Sequence, residues 1–294
     1  MGAVGGASPA RGSPTATTAD TSGMYGAMGA LGRSAPTTAI GLLVCLAMIF
    51  VCGCGGEAVP TCASGAGACS RVLFLGNSYT YVNDLPTTFA RLAQSGGHSV
   101  EVGMVANGGE TLSQHASAAD DAGKISSAPW SYVVLQEQSD TAAYSSAGSL
   151  MYSPARSLAD RATRAGAVPM LFMTWAHKDG EPGAGLPSYE GAQERVDGTY
   201  LTLSGQLGVP VAPVGYTWYH VHLDHPDIGL WQGDGSHPTA AGTYLAACVF
   251  YASIFRQSPD GLRFHGGVAD SQAQILQGEA GRRVLDMQAQ WGLR

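Results

Sequence analysis

The sequence predicts an α/β domain with about five parallel strands, and three observations lead there. Short apolar runs recur from Arg71 onward, helix-length segments separate one run from the next, and polar turns follow the first three runs. Apolar strands joined through helices pair in parallel, with both faces of the sheet covered. The first strand is expected at Val72–Leu75, with a helix after it at Leu85–Gln94. Val100–Val105 supplies the second strand, followed by a helical stretch around Leu112–Ala122. Tyr132–Leu135 is the third strand, followed by a helix at Pro154–Ala165. Val168–Thr174 and Val209–Val214 complete the sheet on either side of a helix at Tyr189–Leu207. Pro238 then opens a long apolar helix, Thr239 to Phe255, and a final amphipathic helix lies near Gln272–Gln290.

Composition narrows the class. An apolar content of 45% over 294 residues is that of an ordinary globular chain. A net charge of −7 and the lack of Lys/Arg clusters argue against nucleic acid as a partner. Residues 1–38 are rich in Gly, Ala, Ser, Thr and Pro and have no periodicity from which to bury a core. An apolar run of signal-peptide length follows, from Ala39 to Cys52, with Arg33 as its positive flank. At its end Val51-Cys52-Gly53-Cys54 resembles a bacterial lipobox, in which the last cysteine, Cys54, is lipidated; Cys52 replaces the usual Ala or Ser. Simple secretion and an uncleaved anchor helix are the other two readings of this segment, and all three export the domain. The length of the leader makes Met24 and Met28 alternative starts to Met1. The expected organisation is thus a leader and signal over 1–54, a linker over 55–70 and one folded domain over 71–294. Cys62 and Cys69 are placed to close a small disulfide in an oxidising compartment, whereas Cys248 sits in an apolar helical pattern and reads as core. No cysteine or histidine cluster has zinc spacing.

The chemistry is carried by two distant segments. Leu75-Gly76-Asn77-Ser78-Tyr79-Thr80 places a serine just beyond the first strand, and Asp234-Gly235-Ser236-His237-Pro238 places a carboxylate three residues before an imidazole. A serine hydroxyl needs a histidine to take its proton and an acid to hold that histidine in the right tautomer. Taken singly, Ser78 reads as a turn residue and Asp234 to Pro238 as a helix-capping turn. Together at the two ends of the domain they make Ser78, His237 and Asp234 a candidate triad. In open parallel sheets ligands bind at the carboxyl ends of the strands. Ser78, the Asn107-Gly108-Gly109 turn and Gln136-Glu137-Gln138-Ser139 all lie there. The Gly109 N–H and the Gln138 amide are accordingly candidate donors to an oxyanion, with the Ser78 N–H as the third. A Gly-x-Ser-x-Gly elbow is absent, because Thr80 stands at its second glycine.

These motifs resemble those of the SGNH/GDSL hydrolase superfamily over roughly residues 70 to 257. Gly76-Asn77-Ser78-Tyr79 matches the Gly-Asp-Ser-Leu block, Gly109 the second-block glycine, and Asp234 to Pro238 the final Asp-x-x-His-Pro block. The third block departs: the family's Gly-x-Asn-Asp reads Gln136-Glu137-Gln138-Ser139, so Gln138 stands where the oxyanion asparagine would be. A bacterial subgroup with Gly-Asn-Ser and Leu-Gln-Glu-Gln-Ser signatures is the most similar pattern. The resemblance implies a three-layer, flavodoxin-like fold and a serine esterase that works without cofactor or metal. It also implies a small ester as substrate, with O-acetyl or other short acyl groups on carbohydrate favoured; the lipobox-like segment at Cys54 adds the expectation of membrane contact only through a lipid anchor. Two other readings remain at this level. One is a glycosidase using Glu110, Glu137 or Asp234 as paired carboxylates; the other is a non-catalytic glycan-binding lipoprotein. His220, His222 and His225, beside Asp224 and Asp227, read as a polar loop bordering the cleft rather than a metal site. Trp175, Trp218, Tyr219 and Trp231 read as core, with one or two near the strand ends serving as a platform for a sugar ring.

Overall fold

The computed structural model describes Cys62 and residues 69–293, so Cys54 and the leader lie outside the described residues. Five strands, β1 (Cys69–Gly76), β2 (Ser99–Ala106), β3 (Tyr132–Leu135), β4 (Val168–Phe172) and β5 (Val211–Ala212), form one parallel sheet in the order β2-β1-β3-β4-β5. Strand β1 is central, and Val72 to Leu75 are fully buried because helices cover both faces. Strand order reverses at β1, between β2 and β3, which makes the carboxyl ends of β1 and β3 the switch point at which such sheets bind ligands.

The connecting helices are α1 (Ser78–Tyr81), α2 (Leu85–Ser95), α3 (Leu112–Ser117), α4 (Ala119–Ser126), α5 (Ala147–Arg164), α6 (Tyr189–Leu207), α7 (Val214–Asp224), α8 (Ala240–Phe255) and α9 (Asp270–Leu285). Helix α8 is apolar all round and almost wholly buried, as its composition requires. Its Phe250 packs edge-on against Phe74 of β1 and Phe172 of β4, and Phe89 of α2 closes the same cluster. Cys62 is disulfide-bonded to Cys69 at the start of β1, and Cys248 is a free, buried thiol on α8.

Five expectations need correction. The single helix expected around Leu112–Ala122 is two, broken at Ala118, whose extended backbone caps both. Helix α5 begins at Ala147, before the expected Pro154. Ala147, Met151, Ala155 and Leu158 form one buried stripe, and that packing outweighs the hydrogen bond an interior proline removes. Residues 220–224 are not loop but the end of α7, held by Val214, Trp218 and Val221 facing inward at i, i+4 and i+7. The expected fifth strand shrinks to Val211–Ala212, because Pro210 has no N–H for the ladder and Pro213 already caps α7. Pro238 precedes the start of α8 rather than forming its first turn; Thr239 is the cap, its hydroxyl accepting from the Gly242 N–H. No helix of the described residues is long and apolar enough to cross a membrane.

Candidate active site

The serine turn is built at the end of β1. A Cβ on Gly76 would stand 2.5 Å from both Gln136 Oε1 and Thr80 Oγ1, so only glycine lets the strand end lie this close to β3. Asn77 is buried, and its amide pairs with that of Gln136: Asn77 N donates to Gln136 Oε1 at 3.0 Å, and Gln136 Nε2 donates to Asn77 Oδ1 at 2.7 Å. Asn77 Oδ1 also caps α1 through Tyr79 N, and its Nδ2 donates to the Glu110 carbonyl at 3.0 Å. Ser78 is therefore the first residue of a short helix, with an N–H that has no partner inside that helix.

The acid–histidine loop is bonded to this turn. Trp231 and Pro238 form an antiparallel bridge that closes residues 232–237 into a hairpin-like loop. Asp234 Oδ1 accepts from Ser236 N at 2.9 Å and His237 N at 3.0 Å, and Asp234 Oδ2 lies 2.6 Å from His237 Nδ1. A carboxylate accepts, so Nδ1 carries the proton and Nε2 keeps its lone pair. The Ser236 N–H first, and the His237 imidazole second, hold the Asp234 carboxyl down at about 2. Tyr79, next to Ser78, bonds through its hydroxyl to Ser236 Oγ at 2.9 Å and sets its ring 6.1 Å from that of His237. Trp175 Nε1 donates to the Ser236 carbonyl at 2.9 Å, and Asn83 Nδ2 to the Pro238 carbonyl at 2.9 Å. The structure thus joins His237 and Asp234 directly and ties their loop to Tyr79, the residue next to Ser78. Ser78 Oγ makes no protein hydrogen bond among the described residues, a looseness common before substrate is bound.

The other expected oxyanion donors lie in the turns that follow β2 and β3. Gly109 sits at φ +67°, a conformation that favours glycine, in a turn closed by Glu110 N on the Asn107 carbonyl. The Gln138 amide is anchored at its oxygen by Asp140 N, Thr141 N and Thr141 Oγ1, while Nε2 donates to Ser139 Oγ at 3.0 Å. One Nε2 hydrogen remains after that bond.

The carboxylates of the glycosidase reading are committed elsewhere. Glu137 is buried, its Oε1 accepting from Gln138 N and Leu112 N, and burial raises its pKa. Glu110 Oε2 accepts from Asn107 N and Nδ2, and Asp234 serves His237. His220, His222 and His225 do not meet: His225 pairs with Glu279, His220 packs against Tyr216 of α7, and His222 packs against Tyr189 of α6 and Trp231. Among the described residues, ligating atoms gather only at Glu110, His115 and Asp121, where both imidazole nitrogens are already in hydrogen bonds. Trp175 and Trp218 are buried and stacked on one another, so neither is a sugar platform; Tyr81, 40% exposed and three residues past Ser78, is the open ring beside the serine. Sequence reasoning missed the ties made by Tyr79, Asn83 and Gln136, which depend on residues far apart in the chain.

A doubly wound α/β domain with a serine at the end of β1 and a carboxylate-bound histidine on a loop bonded to the next residue is a candidate hydrolase-type site. Comparison with solved structures agrees. A protein assigned to the SGNH hydrolases from Slackia heliotrinireducens is similar at 28% identity and a TM-score of 0.55, over 63% of this chain and 98% of that one. A DUF4886 family protein from Bacteroides uniformis ATCC 8492 shares 15% identity at a TM-score of 0.66, over 74% of this chain and 95% of its own. An acetyl xylan esterase shares 13% identity at a TM-score of 0.51, over 63% of this chain and 99% of its own. No family model and no curated protein matches the sequence. In fold, and at 28% identity to one of them, the chain is similar to the SGNH/GDSL hydrolases.

Proposed function

We propose that the protein is an exported serine esterase. The observation that supports this reading is the bonding of the Asp234–His237 loop to Tyr79, the residue next to Ser78 in a strand-to-helix turn, with Asp234 on Nδ1 of His237. Ser78 Oγ attacks the ester carbonyl while His237 Nε2 takes its proton, and Asp234 holds the imidazolium that results. The N–H groups of Ser78 and Gly109 and the Gln138 amide receive the oxyanion. The alcohol leaves with the proton from His237, and water, activated by the same histidine, releases the acid. Short acyl esters on carbohydrate are the favoured substrates, with Tyr81 as the ring on which the alcohol part lies. Lipidation at Cys54 anchors the domain outside the cytoplasm, and the Cys62–Cys69 disulfide supports an oxidising location.

A fluorophosphonate probe tests the chemistry. Wild type is expected to be labelled and Ser78→Ala not; an unlabelled wild type that also leaves p-nitrophenyl acetate and acetylated sugars intact would favour the glycan-binding reading instead. Palmitate incorporation tests the anchor, which is expected in wild type and lost in Cys54→Ala.

A further inference from the structure

Beneath the serine turn lies a second imidazole that the esterase reading does not use. His115, on α3, is fully buried, with Nδ1 2.5 Å from Asp121 Oδ2 and Nε2 2.9 Å from the Gly76 carbonyl oxygen. A carbonyl oxygen only accepts, so Nε2 must carry a proton. The Nδ1–Asp121 contact holds one more proton, whichever atom it resides on. The pair therefore keeps its donor to Gly76 without depending on where that shared proton sits.

We propose that His115 is a positioning residue, one that fixes the peptide group leading into the nucleophile and so sets the direction of the Ser78 side chain. The proposal rests on Ser78 being the nucleophile. The Gly76 carbonyl and the Asn77 N–H belong to one peptide unit. His115 Nε2 donates to its oxygen, and Gln136 Oε1 accepts from its N–H at 3.0 Å. That plane is clamped at both ends by side chains from two other segments, one residue before Ser78. The same imidazole is surrounded by the acidic groups that support the other oxyanion donors. Glu110 Oε2, from the Gly109 turn, is 3.6 Å from Nε2, and Glu137, whose Oε1 holds the Gln138 N–H, also accepts from Leu112 N at the start of α3, the helix that carries His115. Asp121 on α4 completes the set.

The break at Ala118 makes the arrangement possible. Residues six apart on an unbroken helix lie on different faces. Ending α3 at Ser117 and starting α4 at Ala119 turns Asp121 back onto His115.

Two substitutions separate positioning from packing. Glutamine reaches the place of the imidazole Nε2 and keeps the donor to Gly76; asparagine reaches that of Nδ1 and keeps Asp121 while losing Gly76. Expected is a fall of about 10²-fold in kcat for His115→Asn with KM little changed, the scale of a small misplacement of a reacting group. His115→Gln is expected to recover most of that loss, although it gives up the Asp121 bond. Equal losses in the two variants, or a wild-type kcat in His115→Asn, would overturn the proposal. Where neither variant folds, ¹⁵N-histidine NMR of the wild type decides: His115 Nε2 is expected to be protonated at every pH at which the protein is folded, and an unprotonated Nε2 would overturn the clamp. A wild type that the fluorophosphonate probe does not label would instead remove the esterase reading, a result distinct from all of these.

Discussion

Two imidazole–carboxylate pairs stand on either side of the Ser78 turn with nearly the same bond and opposite surroundings. His237 is 35% exposed with Asp234 2.6 Å from its Nδ1, and His115 is 0% exposed with Asp121 2.5 Å from its Nδ1. What differs is the other nitrogen. Nε2 of His237 has no protein acceptor among the described residues and keeps a lone pair for a proton, whereas Nε2 of His115 is spent on the Gly76 carbonyl. On the proposed reading the same pair of groups is a base when one face is open and a brace when both are closed. A carboxylate on Nδ1 alone identifies neither role.

The comparison is broken most readily at its active end. His237→Ala and Ser78→Ala are each expected to lower kcat by about 10⁶-fold, with the double variant no worse, because either loss disables the nucleophile. Stability should barely move in His237→Ala, within about 0.5 kcal/mol as for other surface changes. His115→Ala is expected to show the reverse emphasis. It leaves the Asp121 carboxylate buried without a partner, a loss of about 3–5 kcal/mol that a urea titration would read directly. Near-equal stabilities of the two alanine variants would erase the distinction.

Asp234→Asn comes next. An amide in place of the carboxylate turns the imidazole to the wrong tautomer, and kcat is expected to fall by about 10⁴-fold. Gln138→Ala is expected to cost less, about 10²–10³ in kcat with KM little changed, since the oxyanion exists only in the transition state. Steady-state kinetics on p-nitrophenyl esters would measure both. A Gln138→Ala enzyme that keeps more than about a third of its kcat, a loss below about 0.7 kcal/mol, would mean that the amide serves only as the cap seen on Asp140 and Thr141.

How much of this was legible follows from the range of each interaction. Strands β1 to β4 and helices α2, α6 and α8 declare themselves in local apolar patterns, and Asp234 and His237 sit three residues apart. The brace at His115 does not. His115 meets Asp121 only because of the break at Ala118, and Ala118 carries no helix-breaking side chain to announce it. Its other partner, Gly76, is 39 residues away and contributes a backbone atom, which no side-chain motif can encode. The Gln136–Asn77 amide pair, 59 residues apart, was hidden for the same reason. Helix α7 was obscured differently: three histidines and two aspartates at residues 220–227 read as polar loop, while Val214, Trp218 and Val221 set the fold.

The smallest effect tests the exposed pair as a source of stability. The Asp234 carboxyl lies at about 2, below the ordinary carboxylate value. A lowered carboxyl contributes stability that is fully present above the unfolded value, about 3.9, and is lost as pH falls through the folded value. Asp234 is 48% exposed, so solvent screening keeps the contribution below about 1 kcal/mol. For a domain of this size that is a Tm change of about 2–4 °C at most. Asp234→Asn is therefore expected to lower Tm by no more than this near neutral pH, with the difference shrinking as pH is taken down toward about 2. Asp121→Asn weakens a hydrogen bond to a buried carboxylate and is expected to cost about 1–3 kcal/mol near neutral pH. Calorimetry of both variants across the acid range compares them directly. A larger Tm loss in Asp234→Asn than in Asp121→Asn would reverse the assignment, making the open pair the brace and leaving the burial of His115 without a structural consequence.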